Sequence, residues 1–282
     1  MSSRIFRMLC TMAVVSSMAG LVFGQNPPAK QEQKQGEKKS EKKSERKTAA
    51  GSSKDVLKNP TAEQIAEASI FVYGLGGGRA ILNQIRKTAI ERGKTTVTTA
   101  DGTSQQATFS RWTQRGDSLI KEKIRLDQDF PSARYALVFN EARIYGIYND
   151  SVFTPRDDAT RTFENQIIHG IEALLRYKEN ESTLVLVGKE KLQAVEYHVI
   201  DVTDKAARKT RFYISTKSYR VMMLDYEDQG TKYRRKFYDY NYAQGTLVPF
   251  RTVLWASDKI VEETEIGTVT FGQKIDGGLF AS

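Results

Sequence analysis

Two histidines, a few paired carboxylates and one glycine run are the residues whose types and spacing could do chemistry in this chain. The stretch FVYGLGGGRA, Phe71 to Ala80, holds four glycines within five residues. A loop that cradles phosphate needs Gly-X-Gly-X-X-Gly after a strand, or Gly-Lys-Ser/Thr at its end. Gly74 and Gly76 fit the first pattern, but its third position is Arg79, and the flanking segments are patterned as helices. The run reads as a turn between helices that lets the backbone pass close to a packed surface. His169 and Glu172 are three residues apart, a spacing that suits a metal on a helix, but no motif supplies further ligands. His169 lies opposite the apolar arc of its helix and is expected to face solvent. His198 alternates with Glu196 on a strand and reads as a cross-strand partner, not a base. Asp157-Asp158 suits the start of a helix, where negative charge meets the positive dipole end. Glu262 and Glu263 are adjacent, so a strand would point them to opposite sides. No Gly-X-Ser-X-Gly motif occurs. The sequence implies no enzyme, no metal and no cofactor.

The elements that must position these residues follow from the period of the apolar pattern. NPTAEQIAEASIFVYG has a cap at Asn59 or Thr61 and a proline suited to a helix start. RAILNQIRKTAIERG places Ile81, Leu82, Ile85 and Ala89 on one face, and Gly93 is expected to end that helix. From Lys94 short alternating segments rich in Val, Ile, Thr, Tyr and Phe follow one another, separated by turn signals such as Asp101-Gly102 and Gln229-Gly230. One helix interrupts them, over Asp157 to Tyr177, with Phe163, Ile167, Ile168, Ile171, Leu174 and Leu175 on one arc. Short turns between successive strands mean an antiparallel meander. The fold class is α+β. One long curved antiparallel sheet of about eleven strands carries about three helices on one face.

Composition bounds the setting. Arg4 and Arg7 precede an apolar run from Met8 to Phe23, which reads as a signal peptide over residues 1–24, cleaved after Gly24. The only cysteine, Cys10, lies inside that run, so the mature chain has no disulfide. Residues 25–58 hold ten Lys/Arg against five Asp/Glu and almost nothing apolar, which predicts a disordered Lys/Glu-rich tether. Its lysine blocks could attract an anionic membrane or lipopolysaccharide surface by charge. Residues 59–282 form the domain, with 31 basic against 29 acidic residues. That near balance argues against nucleic acid as a partner, and export argues further against it. The basic-aromatic run YRRKFYDYNY splits on a strand: Tyr233, Arg235 and Phe237 face one way, and Arg234, Lys236, Tyr238 and Tyr240 the other.

The C-terminal third carries a resemblance. FYISTKSYRVMMLDYED, then KFYDYNYAQGTLVPFRTVLW, then GQKIDGGLF, resembles the LolA/LolB-like family of periplasmic lipoprotein carriers. The resemblance extends over about residues 61 to 282 and is most specific in 212 to 280. It implies an unclosed antiparallel barrel with helices as a lid over an apolar cavity. In the family that cavity takes acyl chains of lipoproteins or other amphiphiles. An acylated lipoprotein or lipid is the implied partner, and the periplasm the implied location. Large strand side chains are the candidates for the cavity wall: Phe109, Trp112, Phe139, Tyr145, Phe212, Met223, Phe237, Phe250 and Trp255. The alternative reading is an envelope interaction or sensor protein in which these residues simply fill a core.

Overall fold

The computed structural model describes residues 59–99 and 101–281. The expected signal peptide, Cys10 and tether lie outside the described residues. Helix α1 spans Ala62–Tyr73 and α2 spans Gly78–Ile85. Thr61 caps α1 in a capping box with Gln64, which satisfies two backbone donors that the first turn leaves free. The glycine run joins the two helices, whose axes diverge by 49°. Gly74 is required there, since a Cβ would sit 2.8 Å from the Gly78 carbonyl oxygen. The N–H groups of Gly74, Leu75, Gly76 and Gly77 all donate to nearby carbonyls, so none is free for a phosphate.

The rest is one sheet. In chain order its strands are β1 (Thr88–Thr98), β2 (Ser104–Gln114), β3 (Lys123–Asp129), β4 (Arg134–Asn140), β5 (Arg143–Tyr148) and β6 (Ser151–Phe153). After α3 (Asp157–Ile168) and α4 (Ile171–Leu175) come β7 (Thr183–Leu192), β8 (Val195–Thr203), β9 (Lys209–Ser215) and β10 (Val221–Asp228). Then follow β11 (Thr231–Ala243), β12 (Thr246–Ala256) and β13 (Lys259–Phe271). The spatial order is β6-β5-β4-β3-β2-β1-β13-β12-β11-β10-β9-β8-β7, antiparallel throughout. Two meanders are joined where β1 pairs with β13. Strands β6 and β7 are left as free edges, and the segment carrying α3 and α4 links them along the chain. Several hairpins turn through two residues with positive φ: Glu141-Ala142, Asn149-Asp150, Gln229-Gly230 and Gln244-Gly245. Two successive left-handed residues give the turn whose twist matches that of paired strands.

The antiparallel unclosed sheet matches the expectation, with thirteen strands in place of about eleven. Two helical expectations are corrected. The second helix stops at Ile85, and β1 already begins at Thr88. Gly93, expected as a helix end, lies inside β1 at a register shift. A Cβ there would come within 2.0 Å of the Glu265 oxygen and 2.9 Å of the Phe109 ring. The middle helix is broken at His169-Gly170, with α3 before the break and α4 after it.

Three apolar clusters result. The largest packs α1, Leu82 of α2 and α4 onto Ile200, Phe212, Ile214, Leu224, Phe237 and Leu254. A second packs Phe163 and Ile167 of α3 onto Phe109, Ile124, Leu126, Leu137 and Phe139. The third, Tyr197, Val199, Tyr213 and Met223, occupies the alternate positions of β8 to β10 and so the other sheet face. The C-terminal turn Gly277–Phe280 also docks on that opposite face. Arg125, Asn140 and Tyr145 bind its carbonyls there, and Phe280 is buried. Because a Cβ at position 93 would force β1 away from β13, Gly93→Ala is expected to destabilise the domain by about 2 kcal/mol or more. Urea unfolding measures this, and an unchanged midpoint would contradict the assigned register.

Candidate functional site

The concave face of the sheet and helices α3 and α4 enclose a cavity of about 220 Å³. One part of its wall is apolar: Phe109, Ile124, Phe163, Ile167, Phe237 and Ile266. Another part is charged: Arg86, Arg111, Arg115 and Arg235 with Glu91, Glu122, Glu172 and Glu262. A second, more open cavity of about 790 Å³ adjoins it beneath α3. Its wall includes Leu126, Leu137, Phe153, Tyr226, Leu254 and Val261, and it shares Phe163, Gln166 and Glu262 with the first.

The charged wall is tied together by buried ion pairs. Glu172 of α4 meets Arg86 at 2.5 Å and also pairs with Arg115. Arg86 spends its other donors on the Thr246 hydroxyl and the Leu247 carbonyl, at 2.9 and 2.6 Å. Arg176, just after α4, pairs with Glu122 and donates to the Gly116 carbonyl. Burial pushes the Glu172 carboxyl up, but Arg115 and Arg86 outweigh it and hold it below the usual carboxylate range. At Glu122 burial wins over Arg115 and Arg176, and the carboxyl is pushed up to about 7.

Helix α3 is held differently. Gln166 accepts from Arg111 at 3.0 Å and donates to Glu262 at 2.8 Å. Asn165 donates to Asp228 at 2.9 Å. Only Phe163 and Ile167 of this helix are buried. It is thus a roof with two apolar pegs and a polar rim.

The expected solvent-facing His169 is corrected. It caps the C-terminus of α3, is 4% exposed, and stacks on Tyr226 with ring centres 4.2 Å apart. Its Nδ1 lies 2.7 Å from the Thr210 hydroxyl. The helix break turns it away from Glu172, so the pair does not share a face. Among the described residues no three His, Cys, Asp or Glu side chains group as metal ligands. His198 is buried on β8 between Lys189 and Ile214 of the neighbouring strands and stacks near Tyr219. Glu262 and Glu263 do diverge: one bonds Gln166, the other Arg251. Tyr240 departs from the simple alternation. Asp239 has φ of +52°, and Tyr240 packs on the main core with Tyr73.

The nine candidate wall residues are distributed as follows. Phe109 and Phe237 line the inner cavity. Phe139 stands with Phe109 in the α3 cluster, and Phe212 with Phe237 in the main core. Met223 belongs to the cluster on the opposite face. Tyr145 bonds the Phe280 carbonyl there. Trp112 alternates with the inward Arg111 and Thr113. Trp255 lies 4.8 Å beneath the Lys236 ammonium, and Phe250 is half-buried outside the three clusters. The arginines were not among the candidates. Their signal was alternation: Arg111 and Arg115 share the strand face of Phe109, and Arg235 that of Tyr233 and Phe237.

His169 makes stability depend on pH. Burial, then the nearby Arg208 and Arg235, depress it to about 4, below the ordinary 6.5 of the unfolded chain. Between those values the unfolded state binds more protons, so stability falls as pH drops from about 6.5 to about 4. Glu122, raised to about 7, acts with the opposite sign over pH 4.5 to 7, which partly masks the trend. The difference between wild type and His169→Gln isolates it. Wild type is expected to lose up to about 3 kcal/mol more than the variant between pH 7 and 4. Parallel urea midpoints would refute the buried neutral imidazole.

No family model and no curated protein matches the chain. Solved structures do. A DUF1329 family protein from Desulfovibrio piger aligns at TM-score 0.57 and 10% identity, covering 79% of this chain and 98% of that one. A LolA superfamily protein from Nitrosomonas europaea aligns at TM-score 0.55 and 9% identity, covering 79% and 99%. At such identities the likeness concerns the fold, and on that ground the domain has the unclosed antiparallel barrel of LolA superfamily proteins.

Proposed function

We propose that this is an exported, non-enzymatic bacterial envelope protein whose 59–282 domain binds the acyl part of a lipid or lipoprotein. Residues 1–24 direct export and residues 25–58 are a basic tether that can rest on an anionic membrane or lipopolysaccharide surface. The observation that carries the reading is the pair of adjoining cavities under α3, lined by Phe109, Phe163, Phe237, Leu126 and Leu137. An acyl chain laid there gains roughly 0.8 kcal/mol for each methylene removed from water. The ligand enters when α3 lifts, which releases Phe163 and Ile167 and the bonds of Gln166 and Asn165. Of the nine candidate side chains, Phe109 and Phe237 meet the chain first in this scheme.

A different observation favours the interaction reading. Edge strand β7 exposes Val185, Leu186 and Val187, and an unpaired apolar edge can accept a strand from another protein. Native mass spectrometry of residues 25–282, purified without detergent, separates the two. Retention of a phospholipid or uptake of an acylated peptide is expected for wild type. Phe237→Asp, which puts a charge in the apolar wall, is expected to lower that uptake at least tenfold. A protein that takes up no amphiphile would abandon the acyl reading and leave the β7 edge as the functional surface.

A further inference from the structure

Among the described residues Arg235 is the one buried arginine, lysine or carboxylate side chain with neither an ion pair nor a hydrogen bond. Arg86, Glu122, His169 and Arg176 are equally buried, and each has a partner. Arg235 is 7% exposed, lies on β11 between Leu224 and Leu254 of the neighbouring strands, and lines the inner cavity. Its Nε and Nη2 are enclosed and unpartnered. Two more donors on the same wall share this condition, Nε of Arg111 and Nη1 of Arg115. A guanidinium cannot shed its charge to escape burial. A buried unpaired donor is costly, and a buried unpaired charge more so, unless something completes it. The carboxylates on the wall do not complete Arg235. Glu172 pairs with Arg86 and Arg115, Glu122 with Arg176, Glu91 with Arg111, and Glu262 accepts from Gln166.

The geometry points to an oxyanion as the missing partner: the inner cavity binds the acidic group of its ligand, a carboxylate or phosphate, on Arg235, with Arg111 on the same cavity wall. This inference rests on the proposed function for the rest of the ligand. The acidic group occupies the charged wall, and the apolar part passes Phe163 into the larger cavity. A planar guanidinium fork suits bidentate contact with either oxyanion. Neutral amphiphiles would leave the arginine unpaired, so the site should discriminate by head group.

The test is a binding comparison with the full mature chain. Oleate, oleoyl phosphate and the neutral monoolein are titrated by calorimetry, with inorganic phosphate alone as a separate arm. Wild type is expected to bind the two anionic amphiphiles at least tenfold more tightly than monoolein. Arg235→Met keeps length and apolar stem but removes the fork. It is expected to abolish the preference, keep monoolein binding, and unfold at the same temperature as wild type or higher. Should that variant fail to fold, Arg235→Lys, which keeps the charge, and Arg111→Gln are each expected to reduce the preference at least threefold. Equal binding of anionic and neutral ligands, or a preference that survives these substitutions, would overturn the anion site and leave the acyl reading intact. If no amphiphile binds but phosphate does, in an Arg235-dependent way, the acyl reading fails and the anion site stands. If nothing binds, both fail.

Discussion

A thirteen-stranded sheet that curls without closing has a concave face that must be covered and two edges that find no partner in the sheet. Everything else in this domain answers that constraint. The first meander, β1 to β6, and the second, β7 to β13, are held together only by β1 on β13 within the sheet. Gly93 lets those strands approach closely enough to pair. The helices then supply the missing interior, α1 and α4 over the second meander and α3 over the first. Helices α3 and α4 come from the one segment that joins the two free edges along the chain.

The cover is not purely apolar, and this has an energetic meaning. Buried ion pairs bring little net stability over apolar packing, but breaking one of them is severe. Glu172 therefore fixes α4 more by specificity than by strength, since it must find both Arg86 and Arg115. Arg86 in turn reaches Thr246, whose hydroxyl donates to the Tyr73 carbonyl at the end of α1. One chain of polar contacts thus links α1, α4, β12 and the exit of β2.

Most of the strands were legible because they were bounded by turn residues and carried their alternation locally. Gln229-Gly230 is a clear instance, and both residues have positive φ. The helix ends were less so. Ile81, Leu82, Ile85 and Ala89 keep helical spacing across a boundary that strand pairing decides, because Ala89 is claimed by Thr113 and Phe271 of neighbouring strands. The break at Gly170 was hidden for the opposite reason: Phe163 to Leu175 keep the apolar arc on both sides of it. The burial of His169 depends on Thr210 and Tyr226, far along the chain, and no local pattern announces them. The acyl-chain candidates came from size alone. Size does not say which sheet face a residue takes, which is why Phe109 and Trp112 part company. The arginines obeyed alternation, but a charge at an inward position is discounted by any reading that equates inside with apolar.

The break at His169-Gly170 separates two kinds of attachment. After it, α4 buries Ala173, Leu174 and Leu175 and carries Glu172 into the ion-pair network. Before it, α3 buries two side chains and makes its polar contacts from partly exposed positions. Two apolar side chains are worth about 1.5–3 kcal/mol each on exposure, and part-exposed hydrogen bonds about 1 kcal/mol or less. Lifting α3 alone therefore costs less than unseating α4, since the latter also strips charges of their partners. In the proposed opening, a joint placed between them lets α3 lift while α4 keeps its ion pairs with Arg86 and Arg115. Had the helix run unbroken to Tyr177, as its apolar arc suggests, opening the cavities would have required breaking the ion pairs of Glu172 as well.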